Sequence, residues 1–66
     1  MISLKLMRQA RELSLADASN HLGISIGTLR LYERRQQQPK ILVAKRIADF
    51  YGVTLDDIVD FFKSAK

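Results

Sequence analysis

The sequence predicts an all-α fold, a compact bundle of five short helices in one domain. With 66 residues, the chain has room for a single core. Apolar residues recur at spacings of three and four, as on one face of a helix, while the period-two alternation of strands is nearly absent. No Asn-Gly or Asp-Gly hairpin turn occurs, and no internal repeat is evident.

Capping residues mark where these helices begin and end. Ser14 and Thr54 each precede an Asp by three residues, a spacing typical of the capping box. Ser25 can cap the helix that follows it, and Gly23 and Gly52 can adopt the left-handed conformation that ends a helix. The predicted helices span residues 4–12, 15–22, 26–35, 41–51 and 55–63. The expected core consists of Met7, Leu13, Leu22, Ile24, Leu29, Tyr32, Ile47, Val53, Leu55 and Ile58.

Composition argues against several classes of function. The chain has no Cys, and its single His21, expected on the outer side of the second helix, has no second ligand nearby. We therefore expect no metal and no cofactor. No nucleophile and base stand in a catalytic pattern, so we expect no catalytic residue and no enzyme. Apolar runs stay below the roughly 18 residues of a membrane span, and we expect neither a membrane nor a small-molecule partner.

Positive charge is concentrated in the first two thirds of the chain. Residues 1–46 carry nine basic and three acidic side chains, whereas residues 47–66 carry two and four. This asymmetry indicates either one face that attracts anions or a solvated surface whose charge is uneven.

The short connection between the second and third helices points to a function. Gly23 can reverse the chain, the apolar Ile24 can fill the junction, and Ser25 can cap the next helix. This layout is typical of a helix-turn-helix, whose second helix enters the major groove of DNA, although any small bundle needs tight turns.

Spaced motifs along the chain carry a family resemblance. They are Leu13-Ser14, Leu22-Gly23-Ile24-Ser25, Thr28-Leu29, Tyr32-Glu33-Arg34, Pro39, Ile47-Ala48 and Gly52-Val53-Thr54-Leu55-Asp56. With them the sequence resembles the Cro/repressor-type helix-turn-helix family, also called the xenobiotic-response-element class, over residues 4–60. The resemblance implies the phage-repressor DNA-binding fold, with residues 1–66 as one domain and the helix-turn-helix at 15–35.

The same resemblance implies a function. We expect a sequence-specific regulator of transcription, a repressor that binds double-stranded DNA as a homodimer near its own gene. Its expected location is the cytoplasm of a bacterial or phage-infected cell, at the nucleoid. The resemblance also implies a partly buried ion pair between Arg8 and Glu33, and a core position for Tyr32.

The positions that contact bases in the family depart from its pattern here. They match Ile26, Gly27 and Leu31, which are nonpolar where the family often has Gln, Arg, Ser or Asn. Apolar side chains can still contact thymine methyl groups. By helical period Arg30 also points outward, where it contacts a guanine, contacts a phosphate or remains solvated.

Other residues on this side are candidates for phosphate contacts, which position a protein without reading sequence. They are Ser25, Thr28, Arg34, Arg35 and Lys40. In the alternative, Arg34, Arg35 and Lys40 reach into a minor groove. For Lys5, Arg11 and Lys45 the choice between phosphate contact and ordinary surface charge stays open. Leu15 replaces the family's usual Gln, and we expect it to pack beside the small Ala18 instead.

The last helix carries more apolar surface than a small core easily hides. We expect Phe61 or Phe62 to be exposed at a homodimer interface. In the alternative, both rings fold back onto the first helix under Leu6.

A second function remains open at this point. The apolar face of Ile26, Gly27 and Leu31 suits a helix-turn-helix module that binds protein, such as an antirepressor or an antitoxin-like partner. Binding that weakens steeply with salt favours DNA over this alternative.

Overall fold

The structure is a computed structural model that describes residues 2–64. Its elements are α1 (Leu4–Ala10), α2 (Leu15–Leu22), α3 (Ile26–Glu33), α4 (Ile41–Tyr51) and α5 (Leu55–Lys63). No strand occurs among residues 2–64. The all-α prediction is confirmed, and α2, α4 and α5 have the predicted bounds, whereas α1 and α3 each end two residues earlier than predicted.

The early ends of α1 and α3 come from two residues without glycine's freedom. Glu12 and Arg35 both have a φ of 58°, in the left-handed region. After each of them the chain closes back on the helix, since Leu13 N donates to Arg8 O at 3.2 Å and Gln36 N donates to Leu31 O at 2.9 Å. These are the bonds of a Schellman ending. The predicted bounds are wrong because Glu12 and Arg35, neither of which is glycine, take the left-handed conformation that ends these two helices.

The helix starts follow the sequence signals. Both capping boxes form, Ser14 with Asp17 and Thr54 with Asp57. Ser25 caps α3 through the Thr28 amide. Ser3, whose role was not predicted, caps α1 in the same way by accepting from Leu6 N at 3.2 Å.

One short pattern is used twice, although no repeat was evident in the sequence. Residues 21–26 and 50–55 share the order aromatic, apolar, Gly, β-branched apolar, hydroxyl, apolar, if His21 is counted with the aromatic residues. Gly23 and Gly52 both have φ 69° and ψ 31°. The connections α2–α3 and α4–α5 are therefore built from the same turn.

The core lies where α4 packs against α2 and α5, and where α2 packs against α3. Five predicted core residues are buried, namely Leu22, Leu29, Tyr32, Ile47 and Ile58, and the other five are half-buried. The remaining buried apolar residues are Leu4, Ala18, Ala44, Ala48, Tyr51, Phe61 and Phe62. The small residues on α2 and α4 allow these helices to approach closely.

The expectation of an exposed Phe61 or Phe62 is wrong. Phe61 retains only 2% exposure, and its ring lies 5.0 Å from that of Phe62, which in turn meets Tyr32 edge-on at 6.2 Å. The two rings follow Ile58 by three and four residues, so all three share one face of α5. The exposed apolar residue of this helix is Val59.

The helices are short. The longest, α4, has 11 residues. Within residues 2–64, no helix has the length and apolar character needed to cross a membrane.

Candidate nucleic-acid interface

The turn between α2 and α3 is held from three sides. Ile24 is half-buried below it, and Ile24 N donates to Ser19 O at 3.1 Å. At the start of α3, Ser25 Oγ accepts from Thr28 N at 3.1 Å and lies 2.8 Å from Thr28 Oγ1. From α4, Arg46 Nη1 donates to Leu22 O at 2.8 Å. The angle between α2 and α3 is therefore fixed by the rest of the bundle.

The outer face of α3 carries the residues predicted to contact bases. Leu29 and Tyr32 point into the core, which leaves Ile26 and Leu31 at 42% and 37% exposure. Gly27 and Arg30 are exposed on the same side. A Cβ at Gly27 would meet nothing within 4 Å, so nothing inside the protein requires glycine there. We refer to Ile26, Gly27, Arg30 and Leu31 as the outer face of α3.

A buried ion pair attaches α3 to α1. Arg8 Nε lies 2.7 Å from Glu33 Oε2, and its Nη2 donates to Oε1 at 3.2 Å. The third nitrogen, Nη1, donates to Leu13 O at 2.9 Å. The two side chains are only 10% and 6% exposed, and the hydrogen bond to the Glu33 carboxylate raises the pKa of Arg8. The pair fixes the last residue of α3 and the loop after α1 together.

The candidate phosphate ligands differ in how far the fold already uses them. Arg34 and Lys40 are exposed, as is Ser25, while Thr28 is half-buried. Arg35 is half-buried, and its guanidinium lies 4.3 Å above the centre of the Phe61 ring. The fold therefore already uses the guanidinium of Arg35 in a contact with the Phe61 ring.

Two of the basic residues left open by the sequence have partners in the fold. Arg11 Nη1 donates to Phe50 O at 2.5 Å, and its guanidinium lies over the rings of Phe50 and Tyr51. Lys45 Nζ lies 3.4 Å from Asp49 Oδ1 in an exposed pair one helical turn apart. The contact of Arg11 could not be read from the sequence because 39 residues separate it from Phe50.

Leu15 and His21 have structural surroundings. Leu15 is half-buried against the core, and Ala18 beside it is fully buried. His21 is exposed on α2 and stacks on Phe50 with a ring separation of 5.3 Å. Over the described part of the chain, no group of three or more His, Cys, Asp or Glu could hold a metal ion.

With this geometry in place, comparison with known families decides the class. The profile of a helix-turn-helix family matches residues 4–58. The chain belongs to this helix-turn-helix family. The match spans α1 to the middle of α5, and the Cro/repressor-type resemblance is thereby confirmed. Such domains bind DNA in transcriptional regulators.

Two curated relatives support the family assignment. The cryptic phage CTXphi transcriptional repressor RstR of Vibrio cholerae is 33% identical over 53 residues, which cover 80% of this chain and 48% of that protein. The chain thus spans about half the length of that repressor. An uncharacterised helix-turn-helix-type transcriptional regulator of Methanocaldococcus jannaschii is 34% identical over 55 residues, 83% of each chain. No solved structure gave a significant match.

Proposed function

We propose that the protein is a sequence-specific DNA-binding regulator, a repressor that acts as a homodimer on an operator near its own gene. The observation that carries this proposal is the outer face of α3, which is exposed while the turn before it is fixed by Arg46. A preformed helix of this kind suits the major groove. The match to a helix-turn-helix family and the similarity to a protein named as a phage repressor support it.

In the proposed complex Ile26, Gly27 and Leu31, on the outer face of α3, meet the edges of the bases, and Arg30 lies beside them. Ile26 and Leu31 offer methyl groups to the C5-methyl of thymine, and Gly27 leaves space for close approach. Ser25, Thr28, Arg34 and Lys40 are the proposed phosphate contacts around this helix, with Arg35 retained as a weaker candidate because of its contact with Phe61.

The proposed dimer uses a different surface from the one expected on sequence grounds. Phe61 and Phe62 are already buried in the core of the monomer, so they do not offer a solvent-exposed surface for a dimer to bury. The exposed apolar residues near this end of the bundle are Ile41, Leu42 and Val59, and Ile41 and Val59 border one groove between α4 and α5. A symmetric pair joined here would read two half-sites about 34 Å apart.

Fluorescence anisotropy with a labelled duplex tests the proposal. The duplex comes from upstream of the protein's own gene, and a scrambled duplex of equal composition is the control. We expect tighter binding to the upstream duplex and a steep loss of affinity between low and physiological salt. Equal, weak binding to both duplexes would contradict a sequence-specific regulator that acts at this place.

The second candidate function is protein binding through the same helix. It is favoured by one observation, the exposure of two large apolar side chains, Ile26 and Leu31, on the outer face of α3. An antirepressor or antitoxin-like partner would cover them. Absence of duplex binding even at low salt would support this candidate. Binding of the protein partner would in turn depend little on ionic strength, because the interface would be apolar.

A further inference from the structure

A small cleft lies beside the outer face of α3, between this helix and α1. It is lined by Lys5 and Arg8 of α1, Leu15 at the start of α2, Arg30 and Glu33 of α3, and Arg34 directly after α3. We call it the α1–α3 cleft. Five of its six lining residues are charged, and the sixth is the position where Leu replaces the family's usual Gln.

The charges in the cleft do not balance. Arg8 and Glu33 neutralise each other through their two hydrogen bonds and are nearly buried. Lys5, Arg30 and Arg34 are exposed, and the cleft contains no acidic residue besides Glu33. Three positive charges therefore surround one opening without an acidic partner in its lining.

The arrangement of these cations is itself unfavourable without an anion. Arg30, in the last turn of α3, and Arg34, the residue that caps this helix, are four positions apart, a spacing at which like charges repel each other. Lys5 approaches the same opening from α1. A bound anion would turn this repulsion into attraction, and guanidinium groups form paired hydrogen bonds with phosphate oxygens.

We propose that the α1–α3 cleft binds one backbone phosphate of duplex DNA, with Lys5, Arg30 and Arg34 as its ligands. The inference rests on the proposed DNA binding and deepens it. It assigns Lys5, whose role the sequence left open, to the interface. It also assigns Arg30 to the sugar-phosphate backbone instead of a guanine, so that Arg30 contributes affinity and not base discrimination.

Salt titrations of single variants test this assignment. We expect Lys5→Ala and Arg30→Ala each to make the slope of log affinity against log salt less steep by part of the value of about 0.9 that one complete phosphate contact contributes, because two of the three cations remain. Between 50 and 200 mM salt, loss of the complete contact corresponds to a difference of about 3.5-fold in affinity, so each single variant should differ from the wild type by less than this. The loss should be the same for the upstream and the scrambled duplex.

Lys45→Ala is the matched control. It removes the same charge from an exposed helical position, but Lys45 pairs with Asp49 and does not line the cleft. We expect it to change the slope by much less than Lys5→Ala. Circular dichroism of each variant checks that the fold is kept, as expected for exposed side chains.

A second measurement locates the phosphate. A series of duplexes carries one neutral methylphosphonate at a time, and the wild type and Lys5→Ala are compared on each. We expect one position at which the neutral linkage weakens the wild type more than it weakens Lys5→Ala, because part of the same contact is already lost in the variant.

Three results would overturn the inference, and they differ from one another. An unchanged slope for Lys5→Ala would remove Lys5 from the interface. A loss in Arg30→Ala that is confined to duplexes with a guanine at one position would assign Arg30 to that base. Absence of duplex binding by the wild type at low salt would overturn the proposed function together with the cleft assignment.

Discussion

Tyr51, at the end of α4, is buried, and its hydroxyl oxygen has no hydrogen-bond partner among residues 2–64. Burial raises the pKa of Tyr51, and the negative charge of Glu33 adds to the increase. The hydroxyl thus places a polar atom in the core that makes no hydrogen bond to residues 2–64.

We expect the free energy of unfolding of Tyr51→Phe to equal that of the wild type or to exceed it by about 1 kcal/mol, because the substitution removes no hydrogen bond to protein. Urea denaturation followed by circular dichroism measures this. A destabilisation of more than about 1 kcal/mol would indicate that the hydroxyl has a partner after all.

The raised pKa of Tyr51 also predicts a dependence on pH. The folded protein holds this proton more tightly than the unfolded chain, whose tyrosine pKa is about 10. The contribution to stability is therefore complete below about pH 10 and is lost as the pH rises through the folded pKa. The wild type should lose stability relative to Tyr51→Phe above about pH 10, and a constant difference would contradict this.

Glu33 is the partner of a nearly buried cation. We expect Glu33→Ala to destabilise the fold by about 3–5 kcal/mol, because Arg8 keeps its charge without a carboxylate to pair with. The control is Asp49→Ala, which breaks the exposed pair with Lys45 and should cost no more than about 1 kcal/mol. Equal losses in the two variants, measured by urea denaturation, would exclude a special role for the buried pair.

At this scale the sequence predicts positions on a helix better than it predicts partners. The outward direction of Arg30 follows from the helical period alone. The contacts of Arg11 with Phe50 O and of Arg46 with Leu22 O join residues 39 and 24 positions apart, and they depend on how the helices cross. No local pattern carries that information.

At the scale of the element, helix starts were easier to predict than helix ends. Ser and Thr caps act within three residues, so the pattern is complete in the sequence. A left-handed terminator is not restricted to glycine, since Glu12 and Arg35 both take φ 58°, although this costs an ordinary residue about 1–2 kcal/mol.

The two kinds of left-handed position give opposite expectations. Glu12 is exposed and has a φ of 58°, so Glu12→Gly relieves backbone strain in the folded state. Glycine also raises the conformational entropy of the unfolded chain, so the net stabilisation should be no more than about 1 kcal/mol. Gly52 has φ 69°, so Gly52→Ala should destabilise it by about 1–2 kcal/mol. Thermal unfolding of both variants measures the signs, and a stabilised Gly52→Ala would contradict this explanation of the helix ends.

The buried face of α5 is wider than the line of apolar residues predicted from the sequence. Leu55, Ile58 and Phe62 define an apolar line, and Phe61 was placed beside it. The face of a short helix packed on a bundle is wider than one line of residues, and Phe61, three residues after Ile58, lies within it.

At the scale of the whole molecule, association can be tested away from the core. We expect sedimentation equilibrium to give a dimer for the wild type and a monomer for Ile41→Lys, since Ile41 is 61% exposed and lines the α4–α5 groove. The control is Leu6→Lys, which changes an exposed Leu of α1 and should remain dimeric. A wild type that stays monomeric at high concentration would contradict the proposed dimer.

The charge of the whole chain overstated what is available for binding. Among the basic residues of positions 1–46, Arg8, Arg11 and Arg46 each donate to a main-chain carbonyl at a chain reversal. Sequence counting treats these side chains like Arg34 or Lys40 on the surface. Counting charges in the sequence therefore overstates how many of these cations are available to an anion without giving up a contact within the fold.

The contacts of Arg11 and Arg46 couple distant parts of the chain through α4. Arg46, within α4, donates to Leu22 O at the end of α2. Arg11, just after α1, donates to Phe50 O near the end of α4. Neither half of the chain can open locally without releasing a carbonyl bonded by the other half, so amide exchange in α2 and α4 should require cooperative unfolding. If α3 docks into DNA as proposed, it would lose little conformational entropy on binding, because the bundle already fixes its position.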